Sequence, residues 1–442
     1  MPCEQQPWGK PLNLRDDLQR IHHTSWSVRI AIIVQFALIV AYIFYWLALI
    51  PRDHFFLHAD FTGYFTGWSM ARDGQSAHLY DLEWQTRYQR PIVGDEPFSD
   101  GLLPFVYSPG FVVLFYPLAW LPRPWAFLAW TLIQLGLLWC VLRLLARLSA
   151  TWEAHERWLL LSTVVAFPPM LLSFGHGAMS LLVLLAMLQF CLGLQAGKQA
   201  HAGIWLALLG VVKPQFVLLP SVWLVAARRW RAVSTAAALT GVFVVVSGLL
   251  LGFTAWLGLA TLLRQTSQFF GLFGFQPAMM YNVRAVLTVL LGSDQATAIN
   301  LLSTLVLLAG MGVTYVLWRG SWRPADPDFD LRAALTVLLS LLLSPHIYEH
   351  DALLLVVPAV LFYRYLRRCG RARQVYVAFL LCNPLLFLVA EFTAGAVMGL
   401  RAPLWAMLVL TAWVGAALFQ EWQPARGGNV PAIADIPGGH PV

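Results

Sequence analysis

Residues 28–50 read VRIAIIVQFALIVAYIFYWLALI, and this stretch decides the fold class of the chain. A helix rises 1.5 Å per residue, so about 20 apolar residues cross a hydrocarbon core about 30 Å thick. The stretch is too long for the apolar region of a cleaved signal peptide, which has about 7–15 residues. We therefore predict an uncleaved first membrane helix, preceded by a cytoplasmic polar arm at residues 1–27 that carries Arg15 and Arg20.

The composition of the whole chain agrees with a membrane protein. Of 442 residues, 59% are apolar and 12% are charged, and the mean hydropathy is +0.66. Ordinary soluble domains are about 45–50% apolar and about 25% charged, so a soluble enzyme is excluded. The net charge is +7. In a membrane protein, such an excess of positive charge is typical of arginines that lie in cytoplasmic loops. We expect a lipid bilayer as partner, no nucleic acid, and a bacterial inner-membrane location. Residues 421–442, rich in Gly and Pro, are predicted to be a disordered cytoplasmic tail.

About twelve segments are apolar enough to be spans, which predicts an all-α polytopic protein with both termini in the cytoplasm. The predicted spans are 28–50, 105–121, 125–148, 158–173, 178–196, 201–226, 232–251, 296–318, 331–345, 351–366, 374–390 and 396–419. The arginine clusters at 228–231, 319–323 and 367–371 then fall inside, as the positive-inside rule requires. Arg143, Arg147 and Arg157 disagree, because this count places them outside.

Two longer segments are predicted to lie outside the membrane. The first external loop, residues 51–104, holds eight acidic residues against four arginines. It carries helical patterns around 60–72 and 80–90, whose aromatic side chains are typical of short helices at the membrane interface. Loops of this length tend to be functional. The second external segment, residues 252–295, is apolar but interrupted by glycines and a proline.

Asp60 is the first candidate functional residue, because it lies between aromatic residues shortly after the first span. A carboxylate near membrane level can accept a proton from a hydroxyl nucleophile. Asp is also a common helix N-cap, and the pattern alone leaves both roles open.

Lys213-Pro214 interrupts the predicted span 201–226 near its middle. Proline removes a backbone hydrogen bond and breaks a helix, and a cation at the break can hold a phosphate or carboxylate group. The alternative is that Lys213 pairs with an internal acid such as Asp351 or Glu391.

The turn SPHIYEHD at residues 344–351 is the third candidate. His346 and His350 are four residues apart and would share one face of a helix. Such a pair suits a metal ion, but no third ligand stands at a familiar spacing. Hydrogen bonds to an anionic leaving group and a simple solvated loop are the other interpretations. We expect no metal and no cofactor.

Arg284 opens the apolar stretch that ends the second external segment. A guanidinium group binds phosphate through two hydrogen bonds, although Arg284 can equally extend its charge toward the membrane surface.

Several of these residues, taken in order, resemble the family 87 glycosyltransferases, integral-membrane enzymes of the GT-C class. The matching motifs are Asp60-Phe61 with Tyr64, Gly74, Leu79-Tyr80-Asp81, Tyr107-x-Pro109, Pro117-Leu118-Ala119-x-Leu121-Pro122, Gly175-His176, Lys213-Pro214 and Ser344-Pro345-x-x-Tyr348-x-His350-Asp351. The resemblance covers roughly residues 55–360. This chain has Ser108 where the family usually shows a second proline, and His176 where it usually shows glutamine.

The resemblance implies a GT-C-like transmembrane glycosyltransferase domain at residues 28–420, with a polyprenyl-phosphate-linked sugar, often mannose, as donor. It implies transfer to an envelope glycolipid or glycan at the external face, with Asp60 as the catalytic residue. We expect the donor phosphate to contact the cationic groups Lys213, Arg284, His346 and His350. We expect the substrates to contact Tyr64, Tyr107, Tyr348, Glu349 and Asp351.

The expected mechanism is a single displacement with inversion, in which Asp60 is the general base. A secondary transporter or lipid flippase is the alternative, since a broken helix with a central cation suits that class. A catalytically inactive scaffold subunit is a third interpretation, and it predicts no dependence on Asp60.

Overall fold

The computed structural model describes residues 26–49, 60–93, 103–269, 280–320, 322–323, 326, 328–371 and 402–422. All regular elements in these ranges are helical. The α-helices are α1 (Trp26–Leu49), α2 (Asp60–Arg72), α3 (Leu82–Val93), α4 (Pro109–Phe115), α5 (Arg123–Leu148), α6 (Ala154–Ala166), α7 (Pro168–His176), α8 (Ser180–Gln195), α9 (Gln199–Val212), α10 (Leu218–Ala226), α11 (Trp230–Leu251), α12 (Thr254–Phe269), α13 (Val283–Leu291), α14 (Ala296–Trp318), α15 (Phe329–Leu342), α16 (Val356–Arg368) and α17 (Ala402–Trp422). Short 3₁₀ helices are Ser76–His78, Tyr116–Trp120, Pro214–Phe216 and Glu349–Leu355.

Six helical segments in the described residues are long and apolar enough to cross a membrane. They are Val28–Ala48, Arg123–Leu148, Ala154–His176, Trp230–Leu251, Ala296–Trp318 and Pro403–Trp422. Their outward faces carry large apolar side chains such as Ile33, Leu249 and Leu301, which are 66%, 73% and 60% exposed. A helix that is apolar on its outer face suits lipid as its surroundings. The chain is therefore a polytopic membrane protein.

One end of the helical bundle is held together by arginines, and we call it the arginine end. Arg367 lies 3.1 Å from Glu156, and Arg368 lies 2.9 Å from the buried Asp330. Nearby, the Arg364 guanidinium donates to Gln195 at 3.0 Å.

Two further contacts add more of the chain to the arginine end. Arg229 lies over the ring of Trp322 at 4.3 Å, and the Tyr365 hydroxyl donates to Glu421 at 2.6 Å. The opposite end carries Asp60, Lys213 and His350, and we call it the Asp60 end.

The predicted span 105–121 is wrong as a crossing, because the chain lies at the Asp60 end on both sides of it: Ser108 contacts Val211, near Lys213, and Arg123 contacts Thr62. At its start, the Tyr107 carbonyl accepts from the Tyr80 hydroxyl at 2.6 Å. At its finish, the Ala119 carbonyl accepts from Arg72 at 2.9 Å. The segment therefore packs along α2 instead of crossing, and hydropathy alone does not distinguish a short buried helix from a short span.

Because residues 105–121 do not cross, Arg143, Arg147 and Arg157 lie at the same end as the other arginine clusters. They therefore no longer disagree with the positive-inside rule. Helix α5 now runs from the Asp60 end to the arginine end, so the loop between α5 and α6 lies beside Arg367. The Glu156–Arg367 ion pair and the contact of the Trp152 and Tyr363 rings, 4.5 Å apart, both place it there.

The predicted span 201–226 is also wrong as a single crossing. Its first part, α9, starts next to α8 at the arginine end and finishes at Lys213, which pairs with Asp351 at the Asp60 end. Its second part, α10, returns, since Trp223 stacks on Trp318 with ring centroids 3.9 Å apart near the arginine end. Lys213 thus lies at a turn between two antiparallel helices and not at the middle of one broken helix.

The other predicted spans coincide with described helices, except that 374–390 lies outside the described residues. The polar arm also lies outside them for residues 1–25, as does the predicted tail from residue 423 onward. The count of about twelve crossings thus remains a prediction.

Helices occur in the first external loop where the sequence predicted them, as α2 and α3. Helix α2 does not lie on a surface, however: Phe61, Tyr64 and Trp68 are each at most 1% exposed. Its aromatic side chains pack on Phe111 and Trp130 instead of on lipid. The second external segment meets this loop, because a Cβ on Gly258 of α12 would lie 3.2 Å from Tyr80.

Candidate active site

The Asp60 carboxylate lies against the imidazole of His350, with 3.5 Å between Oδ2 and Nε2. The two side chains are 28% and 9% exposed, so the pair is partly shielded from water. Asp60 is the first residue of α2, where the helix dipole favours a negative charge. This position agrees with the interpretation of Asp60 as a residue that stabilises a helix N-terminus. The contact with His350 agrees with the interpretation of Asp60 as a proton acceptor.

Close packing of α2 on the α7–α8 turn fixes Asp60 in this place. Gly177 has a φ of +68°, and a Cβ at this position would lie 2.8 Å from the Cβ of Phe61. Glycine is needed here for both reasons. Phe61 also packs on Phe127, with ring centroids 5.0 Å apart, and Arg123 donates to the Thr62 hydroxyl at 3.1 Å.

Lys213 forms a buried ion pair with Asp351, which is the internal-acid alternative raised by the sequence. The side chains are 5% and 1% exposed. Helix α9 ends at Val212, so the last carbonyls of the helix need partners outside it. The Ser108 hydroxyl donates to the Val211 carbonyl at 2.7 Å and accepts from the Phe111 amide at 3.2 Å. Ser108 therefore joins the end of α9 to the start of α4. Phosphate contact by Lys213 remains a prediction.

His350 lies between two carboxylates and links Asp60 to the ion pair. Its Nε2 is 3.5 Å from Asp60 Oδ2 and 3.7 Å from Asp351 Oδ2. A neutral imidazole in this place is best protonated at Nε2, because both neighbours are acceptors. Within the described residues, His350 Nδ1 and Asp60 Oδ2 are buried and make no hydrogen bond. Buried polar atoms are normally paired, so these two atoms are candidates for contact with a ligand.

The turn that carries His350 is held by side chains that donate hydrogen bonds to its backbone carbonyls. The Ser344 hydroxyl donates to the His346 carbonyl at 2.8 Å, and Asn282 donates to the Ser344 carbonyl at 2.9 Å. The 3₁₀ helix begins only at Glu349, so His346 and His350 do not share a helix face and that expectation is wrong. Among the described residues, no three His, Cys, Asp or Glu side chains form a group suited to a metal ion.

His346 lies beside Tyr348, with ring centroids 4.6 Å apart. Burial lowers the pKa of His346 to about 4. This direction favours the neutral imidazole, which can donate one hydrogen bond; contact of His346 with the donor phosphate remains a prediction.

Three tyrosines, Tyr64, Tyr107 and Tyr348, lie close enough to Asp60 for its charge to add to burial in raising the pKa of each. Tyr64 and Tyr107 share a hydrogen bond of 3.0 Å between their hydroxyl oxygens. Burial raises the pKa of Tyr107 well above its usual value, and the charge of Asp60 adds to this. Burial and the Asp60 charge raise the pKa of Tyr348 in the same way. Both stay neutral and can donate hydrogen bonds. Because the Tyr64 ring is fully buried, its position fits packing; contact with substrate remains a prediction.

Arg284 and Glu349 lie at the edge of this cluster. Arg284 is in the first turn of α13, whose N-cap residue Asn282 holds the turn through Ser344. Partial burial lowers the pKa of its guanidinium. Glu349 is half-buried at the start of its 3₁₀ helix. Their contact with substrates remains a prediction.

His176 belongs to the cluster although no role was derived for it from the sequence. It ends α7, and its ring meets that of His350 edge-on with centroids 6.0 Å apart. The sequence Gly175-His176-Gly177 could have indicated this position, because a glycine is common just past the end of a helix. It predicts that His176 is the last residue of a helix.

Apolar outer surfaces and a buried acid–base cluster at one end of the helices are features of an integral-membrane enzyme. The model of glycosyltransferase family 87 matches residues 105–345, more than half of the chain. The chain belongs to this family and is a membrane glycosyltransferase. It is similar to the polyprenol-phosphate-mannose-dependent alpha-(1-2)-phosphatidylinositol pentamannoside mannosyltransferase of Mycolicibacterium smegmatis. The two are 28% identical over 312 residues, 69% of this chain and 68% of the relative. No solved structure matches the chain.

Proposed function

We propose that this protein moves a sugar from a polyprenyl-phosphate carrier to an envelope glycolipid or glycan, with Asp60 as the general base. The contact between Asp60 and His350 is the observation that carries the proposal. It puts a carboxylate next to an imidazole whose Nδ1 makes no hydrogen bond in the described part of the chain. One group can take a proton while the other faces a leaving group.

The reaction is a single displacement at the anomeric carbon. The acceptor O–H bond breaks and its proton moves to Asp60, while the acceptor oxygen bonds to the anomeric carbon. The bond from that carbon to the phosphate oxygen breaks, and its electron pair leaves with the polyprenyl phosphate. No second carboxylate is needed as a nucleophile, so the configuration is inverted.

The negative charge that develops on the leaving phosphate is stabilised by Arg284 and Lys213, and by His350 acting as an imidazolium, in which Nδ1 as well as Nε2 is a donor. An ammonium group has three donors, so Lys213 can contact phosphate while it remains paired with Asp351. His346 and Tyr348 contribute neutral hydrogen bonds. Tyr107 and Glu349 face the acceptor side with Asp60.

A hexose, and mannose in particular, is the proposed sugar. The name of the mycobacterial relative specifies a mannose donor on polyprenol phosphate and a phosphatidylinositol mannoside acceptor. The resemblance of the motifs to family 87 supports the same class of donor.

The external face of a bacterial inner membrane is the proposed location of the site. The arginine end then faces the cytoplasm, in line with the positive-inside rule. Counting α9 and α10 as two crossings, omitting 105–121 and keeping 374–390 gives twelve crossings, with both termini inside.

The transporter alternative depended on a cation at the middle of a broken span. Lys213 lies instead at the turn near the Asp60 end, in an ion pair. A transporter also predicts that donor and acceptor are moved without being altered.

The test is the incubation of purified protein in lipid with radiolabelled polyprenyl-phosphate hexoses and an envelope lipid extract. We expect labelled glycolipid and free polyprenyl phosphate. Asp60→Asn should lower transfer about 10²–10⁴-fold, because that is what a general base contributes, while donor binding is kept. Asp294→Asn makes the same change at an exposed carboxylate and should transfer as wild type. Substantial transfer by the Asp60→Asn variant would show that the base is another group.

A further inference from the structure

The imidazole of His350 is not held in its plane by a short hydrogen bond from any described residue. Its Nδ1 is buried and makes no hydrogen bond within that part of the chain. Its Nε2 lies 3.5 Å from Asp60 Oδ2 and 3.7 Å from Asp351 Oδ2, whereas an N–H···O hydrogen bond is normally about 2.7–3.2 Å long. Rotation of a histidine ring about its Cβ–Cγ bond is only weakly restricted by the side chain itself. The packing around the ring must therefore set its orientation.

The orientation of this ring matters to the proposed chemistry. A half-turn about the Cβ–Cγ bond exchanges Nε2 with Cε1 and Nδ1 with Cδ2. The carboxylates of Asp60 and Asp351 would then face a carbon atom, and Nδ1 would turn away from the place where it can meet a ligand. His350 can stabilise the leaving phosphate through Nδ1 in one of the two orientations and not in the other.

Among the described residues, two aromatic rings lie beside that of His350, and His176 is the one that comes from another helix. The His176 ring meets it edge-on, with centroids 6.0 Å apart and an angle of 80° between the ring planes. Aromatic rings prefer this arrangement at centroid distances of about 4.5–7 Å. The Tyr348 ring lies 6.4 Å away at 42°, but it belongs to the same turn as His350. The contact with His176 therefore ties the plane of the His350 ring to the rest of the helical bundle.

The backbone that carries His176 is itself fixed. Gly177 follows the end of α7 with a φ of +68°, and the Ala178 amide donates to the Ser173 carbonyl at 2.8 Å. Hydrogen bonds of this kind close the end of a helix. The Gly177 carbonyl also accepts from the Trp130 indole at 2.7 Å, which joins this helix end to α5. The ring of His176 thus starts from a defined place.

We infer that His176 is a positioning residue: the edge of its ring keeps His350 in the orientation that directs Nε2 at the two carboxylates and Nδ1 at the leaving phosphate. The assignment of Nδ1 to the phosphate rests on the proposed function. An edge-on ring pair contributes enough to change the ratio of two ring orientations by a factor of about two to twelve. Because the contact depends on the shape of a ring, an aromatic residue without nitrogen should replace His176, and a non-aromatic residue should not.

The test compares three substitutions of His176 in the proposed transfer reaction. His176→Phe keeps a ring edge, His176→Leu is bulky without a ring, and His176→Gln keeps a hydrogen-bonding group without a ring. His176→Phe should transfer as wild type does. Each of the other two variants should lose about two- to twelvefold in kcat, with the acceptor KM unchanged, and either of them suffices if the other does not fold. Equal kcat values for the three variants, or a faster His176→Gln than His176→Phe, would overturn the inference.

A measurement without turnover separates this inference from the proposed function. The histidine rings are labelled with an NMR-active nitrogen isotope, and spectra in detergent micelles at alkaline pH report which nitrogen of the neutral His350 ring carries the proton. The His350 signals are assigned by their absence from a His350→Gln spectrum. Wild type and His176→Phe should show the Nε2–H form, whereas His176→Leu and His176→Gln should show both forms. The Nε2–H form alone in every variant would refute the positioning role, while failure of wild type to transfer any hexose would contradict the proposed function instead.

Discussion

Removing one partner of the Lys213–Asp351 ion pair should destabilise the protein far more than removing both. The two side chains are 5% and 1% exposed, so neither can recover hydration when its partner is lost. Breaking a buried pair typically costs about 3–5 kcal/mol, whereas replacing both charges by neutral groups is often neutral.

The local structure refines the expected magnitudes. In Lys213→Met, the Asp351 carboxylate keeps His350 at 3.7 Å, so the loss should lie near about 3 kcal/mol. In Asp351→Asn, the ammonium loses its only ion pair among the described residues, and the loss should approach about 5 kcal/mol. The double variant should lie within about 1 kcal/mol of wild type, which makes the coupling energy about 7 kcal/mol.

The assay is equilibrium unfolding in detergent micelles for wild type, both single variants and the double variant. The exposed Arg87–Glu83 pair, whose side chains are 58% and 75% exposed, provides the control cycle with Arg87→Met and Glu83→Gln. Its coupling should be about 0.2–1 kcal/mol. Additive losses in the Lys213–Asp351 cycle, or single variants as stable as wild type, would refute the reasoning.

Other substitutions test the supports of the site. Gly177→Ala should destabilise by about 1–3 kcal/mol and reduce kcat, because its φ and the Phe61 contact exclude a Cβ; Gly197→Ala, also at positive φ but with nothing within 4 Å, is the control for strain alone. Ser108→Ala should lower the free energy of unfolding, measured by thermal unfolding, by about 1–2 kcal/mol. The Val211 carbonyl loses its hydrogen-bond donor, and α4 loses its N-cap. His346→Gln should make the free energy of unfolding less sensitive to acid. Between pH 6.5 and about 4, His346 binds a proton in the unfolded chain but not in the folded protein. As the pH falls through this range, the free energy of unfolding of wild type should therefore drop by up to about 1.4 kcal/mol per pH unit more than that of the variant. Identical pH profiles would contradict the burial of that imidazole.

The sequence allowed most of the helices to be predicted but not all of the crossings. Apolar length predicts a helix that prefers lipid or a protein core, and it does not say which. Residues 105–121 satisfy the length test, yet hydrogen bonds from Tyr80 and Arg72 hold both ends beside α2. Residues 201–226 read as one long span because the reversal at Lys213 uses a proline that also fits a kinked helix.

The candidate site was predictable as a set of residues and not as a geometry. Asp60, Lys213 and the 344–351 turn each stood out because a charge in an apolar chain is costly. Their contacts join residues as far apart as Asp60 and His350, a separation that no local pattern encodes. The sequence does not disclose how far His346 is buried, and His176 was missed because its partner lies on another helix.

The shortness of α15 sets the depth at which the chemistry happens. Its 14 residues rise about 21 Å, less than the roughly 30 Å of a hydrocarbon core. Arg368, beside the first turn of α15, is 42% exposed, which places that end of the helix in water. The other end is then about 9 Å short of the far side of the hydrocarbon core. Since Asp60 contacts His350, on the turn that follows this helix, we expect the catalytic carboxylate to lie about that far below the headgroups. A lipid-tethered sugar would then meet it from within the leaflet, whereas an activated sugar dissolved in water would have to leave the aqueous phase to reach it.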